Sequence, residues 1–289
     1  MKNIFVILAV SAAGLAQAQE PSTEARAMYE RAAERFRDRS ATGLGESLEL
    51  FHRAAELDPS LSRAHAGEAD AACLLALYGH RAPLDVMPRA RKAAEAALAL
   101  DPELAEAHAA LGLTRYLYDW DWDRAESSFE RAIASDPTYS EVRHWYAMML
   151  MATGRYEGAV EQIDAAIRIA PERALYAVKR GTILIAASRY DEAEAQLRGA
   201  LKRHPDYPTA HRELGRLALA RREDTEAREA LERAAALPGG RSATTQSTLA
   251  LSFGRLGEHE RAGAILRELE ERARSGYLSR VSLAVARLG

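Results

Sequence analysis

An all-α solenoid of antiparallel helix pairs is the fold class predicted by this sequence, on three observations. Ala is abundant, β-branched runs are short, and Gly and Pro are confined to spaced positions, a mix that favours helix almost throughout. Apolar helical runs closed by proline recur. "AAELDP" ends at Pro59, "ALALDP" at Pro102, "AIASDP" at Pro137, "AIRIAP" at Pro171 and "ALKRHP" at Pro205, the last three intervals being 35, 34 and 34 residues. Behind each Pro, small residues hold fixed offsets: Ala125 and Ala132, Ala159 and Ala166, Ala193 and Ala200. Farther back a second helical pattern carries Gly112, Gly181 or Gly215 in mid-course. Small side chains let two helices approach, and Pro ends one unit before the next begins. A single pair cannot bury its apolar face alone, so stacked pairs are required.

In chain order, residues 1–18 read as a secretory signal peptide. Lys2 precedes the apolar "IFVILAVSAAGLA", and Ala16 and Ala18 supply small residues at the two positions that determine cleavage after Ala18. The run is short for a bilayer span, and no Cys follows it to carry a lipid. Residues 19–27 form a lead-in. Repeat units follow at about 28–61, 62–104, 105–139, 140–173, 174–207, 208–242 and 243–276, and 277–289 is expected to be a C-terminal capping helix. The second unit is stretched around "YGHRAPLDVMP", where Pro83 and Pro88 are expected to interrupt the helix with a loop or lengthened turn.

The units resemble the tetratricopeptide repeat family. In the fifth, Gly181, Tyr190, Ala193, Leu197, Ala200 and Pro205 fall on that repeat's signature; the fourth supplies Tyr146, Ala147, Gly154, Tyr156, Ala159, Ala166 and Pro171. The sixth gives Leu214, Gly215, Ala227, Leu231 and Ala234. Aligning Ala125, Phe129 and Ala132 puts Trp122 where Tyr156 and Tyr190 sit. "YDWD" is then the turn between two helices, one residue longer than its neighbours, with Asp121 or Asp123 capping the second helix and Trp122 packed under the first. The resemblance implies a right-handed superhelix whose first helices line a concave face where partners dock. On that face it places Glu106, Leu113 and Tyr116, then Glu141, His144, Met148 and Met151, then Val178, Thr182 and Ile185, and finally Arg212 and Arg216. A looser resemblance, in the order "DWDW…HWYA…GRY", is to repeat arrays attached to bacterial adenylate cyclases, kinases and winged-helix regulators.

Composition and motifs narrow the function. Formal charge is -3 with no basic block, which disfavours nucleic acid as a partner. No HExxH, GxSxG, Walker or Rossmann pattern and no CxxCH occurs, so neither enzyme, small-molecule substrate, metal nor cofactor is expected. The three carboxylates of "DWDWD" lack a Gly-turned calcium loop. His65, His108 and His211 recur at matching first-helix positions, whole repeats apart, and read as packed or hydrogen-bonded residues. Cys73, in the apolar run "DAACLLALY", reads as a buried thiol. The expectation is a non-enzymatic scaffold in the bacterial envelope that binds a protein or peptide on its concave face, within an envelope complex; the alternative is a sensory or regulatory subunit. Met148 and Met151 give that face an adaptable apolar centre, and Arg212 and Arg216, at no packing position of the repeat, give it a basic end.

Overall fold

The computed structural model describes residues 22–289; the leader expected at 1–18 lies outside them. Fifteen α-helices and one π-helical turn make up the described chain, and no strand is present among these residues. Antiparallel pairs follow one another: α1 (Thr23–Arg37) with α2 (Ala41–Leu57), α3 (Ser62–Leu77) with α4 (Pro83–Leu100), and α5 (Ala105–Thr114) with α6 (Trp122–Ser135). Then come α7 (Ser140–Ala152) with α8 (Tyr156–Ile169), α9 (Ala174–Ala186) with α10 (Tyr190–Arg203), and α11 (Pro208–Arg221) with α12 (Asp224–Ala236). The last pair, α13 (Ala243–Arg255) and α14 (His259–Ser275), is followed by the short α15 (Arg280–Arg287), which packs on α13. The first helix therefore begins inside the segment expected as a lead-in.

The periodic small residues explain the pairing. A Cβ on Gly112 would come within 2.5 Å of the Phe129 ring, and one on Gly181 within 2.7 Å of Leu197. In α5 and α9, as in α11 at Gly215 against Leu231, the first helix thus receives a large side chain of its own partner helix where only hydrogen fits. Ala125, Ala132, Ala159, Ala166, Ala193, Ala200 and Ala227 are all buried, closing the same crossings.

The recurrent Asp-Pro turns also have a local cause. Asp58, Asp101 and Asp136 accept the backbone N–H two residues on, at 3.0, 3.2 and 2.8 Å, an Asx turn that Pro cannot continue as helix. His65, His108 and His211 each donate from Nε2 to the carbonyl of the Pro six residues earlier, Pro59, Pro102 and Pro205, at 3.1, 2.8 and 2.8 Å. Their recurrence is a turn clamp.

Two irregularities differ from expectation. Pro88 does not interrupt α4: Pro83 opens that helix and Pro88 lies within its second turn, so the extra residues of the second unit lengthen the helix. A proline this near the start forfeits only one carbonyl partner, that of Leu84. The loop is the short segment 78–82, where His80 and Arg81 both donate their N–H to the Leu75 carbonyl. The extra residue of "YDWD" becomes a π turn at Arg115–Asp119, ended by Trp120 in left-handed conformation (φ 58°). Asp121 caps α6, accepting from the Arg124 N–H at 3.1 Å. Trp122 opens α6 as Tyr156 opens α8 and Tyr190 opens α10. It is not packed under the first helix, however, being 44% exposed.

Side chains from α1 to α9 form one continuous core, with smaller clusters continuing it through α15. Contacts between helices two apart join α1 to α3, α3 to α5, α7 to α9, α9 to α11 and α11 to α13. First helices thus crowd one another, which puts them on the inner side of the curve.

Candidate functional site: the inner face of the first helices

Five successive first helices close around a cavity of about 230 Å³ on this inner side. The end of α3 gives Leu77 and the adjoining Tyr78. Leu113 comes from α5, Tyr116 from the π turn, and His144, Trp145 and Met148 from α7. The far wall is Leu175 and Lys179 from α9 with Thr209 and Arg212 from α11. Of the residues expected on the concave face, Leu113, Tyr116, His144, Met148 and Arg212 are brought together here. The Tyr116 hydroxyl reaches the Met148 carbonyl at 3.5 Å.

The remaining expected residues lie elsewhere. Val178 and Thr182 are buried in helix packing, the Thr182 hydroxyl returning to the Val178 carbonyl at 3.2 Å. Ile185 packs beside Leu214, and Met151 against the main core. These four face neighbouring helices because an inner helix in a stack is buried on most of its circumference. Glu106 and Glu141, on the first turns of α5 and α7, mark an acidic end of the inner face. Glu141 is held by Arg173 at 3.2 Å and by Arg39 at 3.5 Å. Nearby, Asp70 is buried on α3 with its Oδ1 unpartnered; burial, reinforced by Glu106 and Glu141, pushes its carboxyl well above the usual range against the pull of Arg39.

The basic end has a different construction. Arg212 and Arg216 are not loose surface cations. Both grip Glu213, a buried carboxylate that accepts from Arg212 Nε and Nη2 at 3.1 and 3.0 Å and from Arg216 Nη1 at 2.7 Å. Burial opposes ionisation of Glu213, but Arg216, Arg212 and Lys179 together hold its carboxyl below the usual range. Lys179 is itself pulled down by burial, with Glu213 opposing and the two Arg adding to the effect. One carboxylate thus serves three cations. His144 is pushed down to about 3 by burial and by Lys179 and Arg173, so its ring is neutral, and its buried Nε2 has no hydrogen-bond partner.

Sequence reasoning missed Tyr78, Trp145 and Lys179. Lys179 had a signal, being one of only four Lys in an Arg-rich chain. Tyr78 had none, since it lines one cavity with residues of α9 and α11 only through the curvature of the stack. Cys73 is buried among helices, its Sγ 3.6 Å from the Ala110 carbonyl, and burial raises its thiol to about 12, which removes it from nucleophilic chemistry. Among the described residues no group of three or more His, Cys, Asp or Glu is placed to hold a metal ion.

A stack of helix pairs whose first helices enclose a groove defines a helical-repeat protein of the binding-scaffold class. More particularly, tetratricopeptide repeat models match residues 116–180 and 178–241, and the fold is the tetratricopeptide repeat fold. No curated protein matches the sequence. Among solved structures, the chain is similar to human IFIT1, crystallised as a dimer with m7Gppp-AAAA (TM-score 0.71, 18% identity, covering 90% of this chain and 61% of that one). It is also similar to yeast Tom70 (0.65, 15%, 90% and 55%) and to a tetratricopeptide repeat protein of Parabacteroides merdae (0.65, 13%, 92% and 98%). The chain therefore spans little more than half the length of Tom70. At these identities the likeness concerns the fold alone.

Proposed function

We propose that this protein is a non-enzymatic scaffold of the bacterial envelope that holds a protein or peptide segment against its inner face. The observation that carries the reading is the convergence of five first helices on one cavity, with an apolar wall and a cationic end. The overall negative charge and the acidic end at Glu106 and Glu141 favour a polypeptide over a nucleic-acid backbone. The signal-like residues 1–18 support export, with the mature chain starting at Gln19. Among the described residues no helix is long and apolar enough to cross a membrane. The motif order around "DWDW" and "HWYA" supports a second reading, a regulatory subunit, which recovery of a signalling membrane protein in a pull-down would favour.

A photo-crosslinking side chain placed at Met148 should capture a partner from envelope extracts, whereas one at the exposed Glu229 on α12 should not. Capture from Glu229 alone would place binding on the outer helices and overturn the reading. N-terminal sequencing of fractionated cells tests export separately: an intact Met1 in the cytosol would refute it.

A further inference from the structure

This cavity is one bay of the inner face: a larger hollow of about 910 Å³ adjoins it at Leu77 and Tyr78 and continues past Arg216 along α13 and α15. About 150 Å³ suffices for a benzene ring in an apolar protein cavity; this one, at about 230 Å³, has room for one ring and a short polar tail. Its apolar lining is aromatic and soft, with Tyr78, Tyr116, Trp145 and Met148. Its opposite wall carries Lys179 and Arg212.

The polar wall is incomplete as it stands. The Arg212 guanidinium is committed through Nε and Nη2 to Glu213, while Lys179 donates no hydrogen bond to any described residue. His144 is 8% exposed and its Nε2 lacks a partner. A buried ring nitrogen left unpaired costs stability unless something completes it. Three cations around Glu213 leave an excess positive charge beside that nitrogen. An anion supplies both missing partners at once, accepting from the Lys179 ammonium and from the His144 Nε2–H of the neutral ring. A carboxylate suits this wall: Lys179 supplies a charged donor, His144 a neutral one, and Arg212, with two of its five N–H groups on Glu213, adds positive charge beside them.

We propose that the cavity is a binding site for a small aromatic monocarboxylate, its ring held among Tyr78, Tyr116 and Trp145 and its carboxylate held by Lys179 and His144. The inference rests on the inner face being a binding surface, but not on a protein partner, so the two readings fail separately: crosslinking at Met148 reports the partner, and titration reports the small acid.

The test is calorimetric titration of the purified protein with 3-phenylpropionate, alongside its neutral amide and a short peptide ending in Phe. The expected result is saturable binding of the free acid, with the amide weaker by about tenfold or more, because only the acid gains the charged partner. Lys179→Met should abolish that discrimination while leaving circular dichroism intact. Met148→Trp, which fills the cavity, should remove binding of both. Equal affinity for acid and amide would overturn the anion assignment. Failure of the acid to bind the wild-type protein, or binding of the peptide but not the free acid, would overturn the small-ligand site altogether. Should Lys179→Met unfold, a shift of the His144 ring resonances on adding acid to wild type, with none on adding amide, keeps the proposal decidable.

Discussion

Asp70 and Glu213 are both carboxylates buried on first helices, 7% and 1% exposed, yet they lie in opposite electrostatic worlds. Asp70, on α3, faces Glu106 and Glu141 and keeps its proton to a higher pH than usual. Glu213, on α11, lies within reach of two guanidiniums and near an ammonium, and stays ionised. Burial raises both equally in kind; the neighbouring charges decide the sign. The inner face therefore runs from a proton-retaining acidic end to a cation-rich end, and the cavity lined by Lys179 and Arg212 lies at the second. The same contrast fixes opposite pH dependences. A lowered Glu213 contributes stability that is present above the ordinary glutamate range and lost as pH falls below that range, through its lowered value. A raised Asp70 favours the fold at low pH, and that contribution is lost as pH rises above the ordinary aspartate range.

The strongest way to break this contrast is to give the basic end the composition of the acidic one. Arg212→Glu with Arg216→Glu places three carboxylates where one was compensated. Removing one partner of a buried pair costs about 3–5 kcal/mol, and this double reversal should cost at least that in denaturant unfolding. A purely surface role, as the sequence suggests for these two Arg, would leave the melt unchanged. Next in size is Glu213→Gln. It keeps the shape but leaves Arg212, whose side chain is 15% exposed, without its counter-charge, and should destabilise by about 3 kcal/mol at neutral pH. The loss should shrink as pH falls below the ordinary glutamate range, where wild type surrenders the same interaction. A loss independent of pH would mean that packing, not charge, makes Glu213 matter.

These residues show where sequence legibility stops. The period, the Gly and Ala crossings and the Asp-Pro turns are readable because each repeats at a fixed offset and acts on neighbours within one unit. Gly181 against Leu197 is such a pair, and so is His108 with the Pro102 carbonyl. The π turn is half readable: "YDWD" betrays an extra residue, but nothing local says whether a loop or a wider helical turn absorbs it. Trp122 shows register without burial, since its position in the repeat is the one expected and the residue is 44% exposed. Leu113, Tyr116, His144, Met148 and Arg212 converge because first-helix positions are assignable from the repeat. Lys179, Tyr78 and the buried state of Glu213 depend on how far the stack curves, and curvature is a sum over many interfaces that no single offset records.

The effect expected at Asp70 runs the other way, in the stabilising direction. Asp70 Oδ1 is buried without a partner among the described residues, and Arg39, a cation opposing the shift, is shared with Glu141. In the unfolded chain this carboxyl releases its proton near its ordinary value; in the folded protein it holds the proton to higher pH, so ionisation pulls toward unfolding. Asp70→Asn removes the ionisable group at nearly constant volume. The variant should match wild type near about pH 4 and exceed it at about pH 7, by a gap that grows as pH rises from the ordinary aspartate range toward the raised value, because only wild type carries the charge. Urea melts at several pH values measure it. The opposite slope, with wild type gaining on the variant as pH rises, would mean that Arg39 rather than Glu106 and Glu141 governs Asp70, and the two ends of the inner face would then share one electrostatic design. Glu106→Gln sharpens the same contrast: if like charge reinforces burial at Asp70, neutralising Glu106 should narrow the gap between wild type and Asp70→Asn without closing it, because burial is the larger cause.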